Sequence, residues 1–337
     1  MKRIFFTVAN NSSTVSLFSH LNKNNYEIYA GDLNPDSIGK FYCKKFIILP
    51  RQDSEEYIPA LLEIVKKEKI DIIIPSGELE CYKIAQEKSK FTELNCIPVV
   101  TNLKTLETSL DKADSYNYLT EHANIPFMKY HLIENINDLE EGLIKLKNYE
   151  LSIKPSQGSG SRGFAFLTDE KVDAEHFFNS KNTFPTLSVS DLKNMLTNSS
   201  YIPKLILMEK LEGTHYDSNM ICSKGKVLFQ SVRTREEAIN GTITKATVVR
   251  NEEIFEINRK IAETLNVEGY ICTQYIGDKL IEINPRWSTS INYDDFNEYL
   301  MVLDYIQGKE LKVTMADYDR YIDTKFIRYF NTFEYKN

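Results

Sequence analysis

Three stretches of this sequence carry residue types and spacings that could do chemistry. The first is Leu280-Ile281-Glu282-Ile283-Asn284-Pro285-Arg286. In a strand, side chains at i and i+2 share a face. Glu282 and Asn284 then point together one way, and Ile281 and Ile283 point the other way into a core. A carboxylate beside an amide oxygen on a rigid strand supplies the hard oxygen donors that Mg²⁺ takes. Pro285 stops the strand, and Arg286 follows at once with a fixed charge and a planar donor fork suited to phosphate. An ordinary amphipathic strand ending in proline would read the same way.

The second stretch is Lys154-Pro155-Ser156-Gln157-Gly158-Ser159-Gly160-Ser161-Arg162-Gly163, which holds three of the chain's 13 glycines. Dense small residues let backbone N–H groups wrap an anion closely. A P-loop would place its lysine after the glycines, at the start of a helix. Here Lys154 precedes them on a strand and Phe164-Ala165-Phe166-Leu167 continues as strand, so a glycine-rich hairpin flap over phosphates fits better than a P-loop. A plain surface hairpin is the alternative. The third stretch is Ser76-Gly77-Glu78-Leu79-Glu80, placed where strand tops carry ligands in parallel sheets. Glu78 and Glu80 there could touch a substrate, although acids at a helix N-terminus are commoner as helix-stabilising groups. Arg233, Arg235 and Lys245 add a cationic cluster around a loop at Gly241.

The elements that must position these groups follow from periodicity. Arg3 to Ala9 is an apolar run, a helical pattern runs through Val15, Leu17, Phe18 and Leu21, and Tyr26 to Ala30 is a second strand. With Phe46–Pro50 and Asp71–Pro75 this opens a parallel α/β sheet. Asp32 has the spacing of a dinucleotide fingerprint, but the first turn lacks the glycines that let backbone approach a pyrophosphate, which argues against a nicotinamide or flavin site. A second unit begins at Leu110-Asp111-Lys112. Val172 to Ser200 reads as polar and irregular. Strands at Leu205–Leu211, Tyr216–Cys222, Val227–Gln230 and Tyr270–Ile276 follow, and Asn251 caps a helix whose apolar face is Ile254, Ile257, Ile261 and Leu265.

Composition excludes several classes. The 337 residues suffice for two or three lobes, and 42% hydrophobic with 26% charged residues is ordinary for a globular chain. A net charge of −7 without a long basic run argues against a nucleic-acid surface. The basic start precedes an apolar run too short for a signal peptide, and no stretch is long enough to span a membrane. Five scattered cysteines without a C-x-x-C pair suit a reduced cytoplasmic protein with no zinc site.

Taken in order, Asp111-Lys112, the Lys154–Gly163 loop, Met208 to Gly213, Gln274 and Glu282-Ile283-Asn284-Pro285-Arg286 resemble the ATP-grasp superfamily, most closely carbamoyl-phosphate synthase large-chain-like members. The likeness covers nearly the whole chain. It implies an α/β fold, α+β in the catalytic lobes: a parallel pre-ATP-grasp domain over residues 1–108, a lid or first ATP-binding lobe over 109–207, and a metal-bearing lobe over 208–337. It implies ATP and Mg²⁺, two ions, with Mn²⁺ as a substitute. Lys112 and Lys154 would bind phosphates, Ser159, Gly160, Ser161 and Gly163 would cover the triphosphate, and Glu209, Lys210 and Leu211 would form the hinge beside adenine. Gln274, Glu282 and Asn284 match the metal ligands. Arg286 matches the arginine on the transferring phosphate, assisted by Arg235 and Lys245.

The chain also departs from its relatives. Many of them carry glutamate at His215 and aspartate at Asn219, framing the ribose side, for which Asp217 is the substitute here. They also have a glycine-containing loop where this chain has Trp287-Ser288-Thr289-Ser290. For Gln274 to join Glu282 and Asn284 it must sit opposite Glu282. That expectation pairs Ile276 with Leu280 and leaves Gly277-Asp278-Lys279 as the loop. A two-residue Gly277-Asp278 turn, with Ile276 opposite Lys279, would put Gln274 on the wrong face.

The implied activity is ligation of a small-molecule carboxylate to an amine through an acyl phosphate, releasing ADP and phosphate. The alternatives are kinase-like or carbamoyl-phosphate-type transfer that stops at a phosphorylated product, and a non-catalytic nucleotide-binding protein. The expected partners are small molecules and a second copy of the chain, not nucleic acid or membrane.

Overall fold

The computed structural model describes all residues except 12, 159–161, 170–184, 240, 241, 289, 294, 330, 331, 336 and 337. The apolar runs near the N-terminus form five parallel strands, β1 (Lys2–Phe6), β2 (Tyr26–Asp32), β3 (Lys45–Ile48), β4 (Ile72–Ile74) and β5 (Ile97–Pro98), in the order β3-β2-β1-β4-β5. The strand order reverses at β1, so the loops after β1 and β4 diverge there. A crevice at the carboxyl ends of such strands is where open α/β sheets bind ligands. Asp32 closes this end of β2. Its carboxylate accepts the amides of Ala9 and Asn10, each at 2.9 Å, so it braces the loop after β1 and is not poised for a ribose.

A second sheet holds β6 (Tyr130–Ile133), β7 (Leu151–Pro155), β8 (Ala165–Thr168), β9 (Thr186–Ser188) and β10 (Leu205–Glu209), ordered β6-β10-β7-β8-β9. β7 and β8 pair antiparallel, Ser152 opposite Phe166, so the glycine-rich stretch is the connection of a hairpin. The expectation of irregular chain from Val172 to Ser200 fails in its second half. Thr186–Ser188 is a strand, and Val189–Asn198 is a helix capped by Ser188 and buried through Leu192 and Leu196. Ser190, Asp191, Asn194, Thr197 and Asn198 form the exposed face of that helix. β10 stays in this sheet through Glu209, two residues past the expected lobe boundary at 207.

The third sheet comprises β11 (His215–Ser223), β12 (Lys226–Thr234), β13 (Glu237–Ile239), β14 (Thr242–Val249), β15 (Gly269–Ile276), β16 (Lys279–Asn284) and β17 (Lys325–Ile327). Its order is β13-β14-β12-β11-β15-β16, with β17 on β14. The helix Glu252–Leu265 packs on it through Ile254, Ile257, Ile261 and Leu265, as its spacing requires. One core runs from Ile4 of the first sheet and Phe18 of the helix Thr14–Lys23 through Ile254 and Ile271 to Tyr299, so the first and third sheets share an interior. The second sheet has its own core, built on Leu139, Ile153 and Leu207. No helix among the described residues is long and apolar enough to cross a membrane.

Candidate active site

The β15–β16 hairpin sets the site, and its geometry differs from the expected one. The turn is the two-residue Gly277-Asp278, with Gly277 at φ +58° and Ile276 opposite Lys279. Gln274 nevertheless faces Glu282, and Cys272 faces Asn284. A β-bulge reconciles the two, because Tyr275 pairs with Leu280 and Ile281 is the extra residue. The expectation that a two-residue turn would exclude Gln274 is therefore corrected. So is the expectation that Ile281 and Ile283 share a core. Leu280 and Ile283 enter the main core, whereas the bulge turns Ile281 toward Tyr116 and Met208.

The register extends across β11, where Asp217 pairs with Gln274, giving the row Asp217–Gln274–Glu282 over three strands. Arg235 Nη1 lies 3.3 Å from Asp217. With its amide turned to satisfy both neighbours, Gln274 accepts from Arg235 at 3.2 Å and donates to Glu282 at 3.2 Å. Lys112 Nζ sits 3.1 Å from Glu282, and Arg286 Nη2 donates to Asn284 Oδ1 at 3.1 Å. Gln274, Glu282 and Asn284 all line one cavity, and cations cover their oxygens: Arg235 that of Gln274, Lys112 that of Glu282 and Arg286 that of Asn284. Among the described residues no three His, Cys, Asp or Glu side chains form a metal cluster. The donor set is one carboxylate with two amide oxygens, which fits a hard ion that keeps further oxygen ligands from phosphate.

Asp111 and Lys112 open the helix Lys112–Ala123. The Asp111 carboxylate caps it through the amides of Ala113 and Asp114 and also receives the Ser156 hydroxyl. Burial pushes this carboxyl up, but bonds from Ser156 and the Asp114 amide, with the charge of Lys204, hold it below the usual carboxylate range. The cap thus ties the helix to the first residues of the flap, and Lys112 Nζ reaches the Gly158 carbonyl at 2.7 Å. Lys154 donates to the Tyr116 hydroxyl at 2.9 Å, and burial brings its ammonium down to about 8 against the pull of Glu282.

Lys112, Lys154, Gln274 and Glu282 line the polar end of a cavity of about 220 Å³ between the second and third sheets. Its other walls include Met128, Phe164, Phe166, Met208, Leu211 and Ile281, an apolar slot. A second cavity of about 310 Å³ lies toward the first sheet, lined by Glu78, Asn284, Arg286, Trp287 and Tyr299 among others. The two cavities share Asp217, Arg235, Gln274 and Glu282, so the row forms their common wall.

Lys112, Lys154, Glu209, Leu211, Asp217, Arg235, Gln274 and Glu282 are brought to the first cavity, and Asn284 and Arg286 to the second. Lys245 is not brought to either. Glu237 sits opposite it on β13, and its Nζ pairs with Glu237 at 3.4 Å and Glu236 at 3.8 Å, which corrects its expected assisting role. Lys210 Nζ pairs with Glu150 at 2.6 Å and lies 5.6 Å from the centre of the Phe166 ring. Asn219 is buried, donating to Glu298 at 2.7 Å, away from any ribose side, while His215 lines the first cavity. Ser159, Gly160 and Ser161 lie outside the described residues. Gly163 sits at φ +72°, and a Cβ there would meet the Pro155 ring at 2.9 Å.

Sequence reasoning missed the apolar slot and Arg162, which also lines the first cavity. The alternation Phe164-Ala165-Phe166 was a signal for the slot, since it puts both rings on one face of β8. The two acids after β4 divide. Glu80 is buried and accepts from the Ser76 and Gly77 amides and the Thr7 and Tyr57 hydroxyls, so it caps its helix. Glu78 instead faces Arg286 Nε at 3.4 Å in the second cavity. The segment after Arg286 is pinned by Trp287 stacked on Tyr299 at 4.6 Å, and by the Ile291 amide donating to Glu298 at 2.9 Å.

Comparison with known proteins adds two family matches. The model of the PylC-like N-terminal domain matches residues 5–100, and that of the ATP-grasp in the biosynthetic pathway with Ter operon matches residues 201–299. Among solved structures, an ADP complex of N5-carboxyaminoimidazole ribonucleotide synthetase is similar with TM-score 0.66 and 17% identity, over 92% of this chain and 78% of that one. An L-amino acid ligase from Bacillus licheniformis gives 0.64 and 14%, over 96% and 77%. A biotin carboxylase complex from Campylobacter jejuni gives 0.65 and 13%, over 94% and 73%. At such identities the likeness is one of fold. No curated protein matches in sequence.

Proposed function

The chain belongs to the ATP-grasp superfamily, and from that premise we propose that it is an ATP-dependent ligase. It activates a small-molecule carboxylate as an acyl phosphate for attack by an amine or similar nucleophile, releasing ADP and phosphate. The observation that carries this reading is the wall common to the two cavities. The nucleotide cavity ends at Asp217, Arg235, Gln274 and Glu282, and a second, polar cavity begins at the same residues. A terminal phosphate lying at that wall would face a second substrate. The same reading divides the chain into a pre-ATP-grasp unit, a lid that ends with β10, and a metal-bearing unit.

The apolar slot holds the base, and backbone at Glu209 and Leu211 reads its edge. Lys112 and Lys154 bind phosphate oxygens. For Lys112 this exchanges Glu282 for phosphate. Magnesium held by Glu282, Asn284 and Gln274 would neutralise charge on the transferring phosphoryl group. Arg286 stands past the wall, where its guanidinium can follow that group as charge shifts toward the leaving oxygen. A carboxylate oxygen attacks the γ-phosphorus and ADP leaves. The amine then attacks the acyl carbon and phosphate leaves. Little acid–base machinery is needed for the first step, since positioning and charge neutralisation carry phosphoryl transfer.

Incubation with Mg-ATP, a carboxylate panel and hydroxylamine tests the proposal. The expected products are ADP, phosphate and a hydroxamate from intercepted acyl phosphate. AMP with pyrophosphate would overturn the mechanism. ADP with a stable phosphorylated product and no hydroxamate would mean kinase-like transfer.

A further inference from the structure

The second cavity has three carboxylates on its walls, Asp217, Glu282 and Glu78. Two are committed, Asp217 to Arg235 at 3.3 Å and Glu282 to Lys112 at 3.1 Å. Glu78 comes from the opposite side, as the first residue of the helix that follows β4 at the reversal point of the first sheet. Its neighbour Glu80 takes the Ser76 and Gly77 amides of the loop after β4 and the Thr7 and Tyr57 hydroxyls. Glu78 therefore keeps acceptor capacity toward the cavity beyond its 3.4 Å contact with Arg286 Nε. Burial raises its carboxyl against the pull of Arg286, with Glu282 adding to the rise, which makes it a stronger base than an ordinary glutamate. The facing wall has the opposite character. Arg286 lies there, and the buried Trp287 Nε1 and Asn284 Nδ2 have no acceptor among the described residues. Glu78 is thus the one of these three carboxylates that pairs with neither Arg235 nor Lys112, and it faces the wall that carries Arg286.

Resting on the ligase reading above, we infer that Glu78 receives the amine substrate, binding its ammonium form and accepting the proton that must leave before nitrogen can attack. The nucleophile is then a primary or secondary amine that is charged at neutral pH, not an alcohol, thiol or amide. One ammonium proton passes to Glu78. The freed lone pair forms the C–N bond while the bond from acyl carbon to phosphate oxygen breaks. Phosphate leaves with that electron pair and takes the second nitrogen proton. Contact with Arg286 puts this event beside the group that held the transferring phosphate.

Trp287 is the only tryptophan of the chain, and it lies on the wall of this cavity, so its fluorescence reports occupancy. Protein saturated with magnesium and a non-hydrolysable ATP analogue is titrated with n-propylammonium chloride, and in parallel with n-propanol as a neutral isostere. The expected result is a saturable change with propylammonium alone. Glu78→Gln should weaken it by at least roughly tenfold, the scale of one charge-assisted hydrogen bond, with an unchanged melting curve. Wild-type affinity in Glu78→Gln, equal response to propanol, or no saturable change would each overturn the inference. The hydroxamate assay is independent of this one. Its failure with the propylammonium site intact removes the ligase reading and leaves an ammonium site at Glu78. Hydroxamate formation with ammonium binding indifferent to Glu78 removes only the inference.

Discussion

Lys154 and Arg286 show how single residues here are tuned by what surrounds them. Lys154 keeps its ammonium against Tyr116 and the Ile281 carbonyl, and burial brings it down to about 8. An unfolded chain's lysine titrates near about 10.4. Between those values the folded protein binds fewer protons than the unfolded one, so stability of the free protein should rise as pH climbs from about 8 toward about 10. Nucleotide binding has the opposite sign. Phosphate favours the charged lysine, so affinity is full below about pH 8 and falls above it. Calorimetric titration of a non-hydrolysable ATP analogue across that range checks this. Lys154→Arg, which stays charged, should flatten the profile. Arg286 uses two edges of its fork at once, Nε toward Glu78 and Nη2 toward Asn284. Arg286→Lys keeps the charge and cannot span both. It should leave nucleotide affinity nearly unchanged and lower turnover about 10²-fold, the scale of one lost transition-state contact. A loss of binding instead would place Arg286 in the ground-state nucleotide site.

At the scale of elements, the loop after β4 and the β15–β16 hairpin each separate scaffold from site within a few residues. Glu80 gives up its carboxylate to four donors and anchors the helix Glu78–Gln86 to β1 and β4. Glu80→Ala leaves those buried donors without an acceptor and should cost roughly 3 kcal/mol or more. Glu78→Gln, two residues away, removes one partly exposed ion pair and should cost within about 1 kcal/mol. Chemical denaturation of the two variants compares them directly, and equal losses would mean that Glu78 is scaffold as well. In the hairpin, the bulge at Ile281 spends one residue to turn an apolar side chain into the first cavity. It also brings Glu282 level with Gln274 behind a tight two-residue turn.

For the whole molecule, the division of cores says what can move. The first and third sheets share one interior, whereas the second sheet is built on a separate cluster and meets the rest through a small group around Tyr116, Met128 and Met208. Few shared apolar contacts allow sub-global opening at lower cost than unfolding. Residues 130–158 and 186–209 should exchange amide hydrogens faster than β1, β11 or β15. Mg-ATP should slow them, since its phosphates and base bridge the second and third sheets. Equal protection in all three sheets, with and without nucleotide, would rule out a lid.

Local regularities were enough for much of this. Alternation in Leu280–Asn284, the apolar runs of the first sheet and the helical spacing of Ile254 to Leu265 each state which side chains share a face, because strand and helix periods are properties of the backbone. They also sufficed to place Glu282, Asn284 and Arg286 together. Tertiary structure alone decided the rest. Whether Gln274 met Glu282 depended on a bulge, which sequence periodicity does not encode when an isoleucine suits either face. Whether Lys245 or Arg235 reached the site depended on which strand lay opposite, and Glu237 lay opposite Lys245. Glu78 and Glu80 are the same residue type two positions apart. Only the approach of Arg286, 208 residues further along the chain, gave one of them an ion-pair partner at the cavity and left the other a cap.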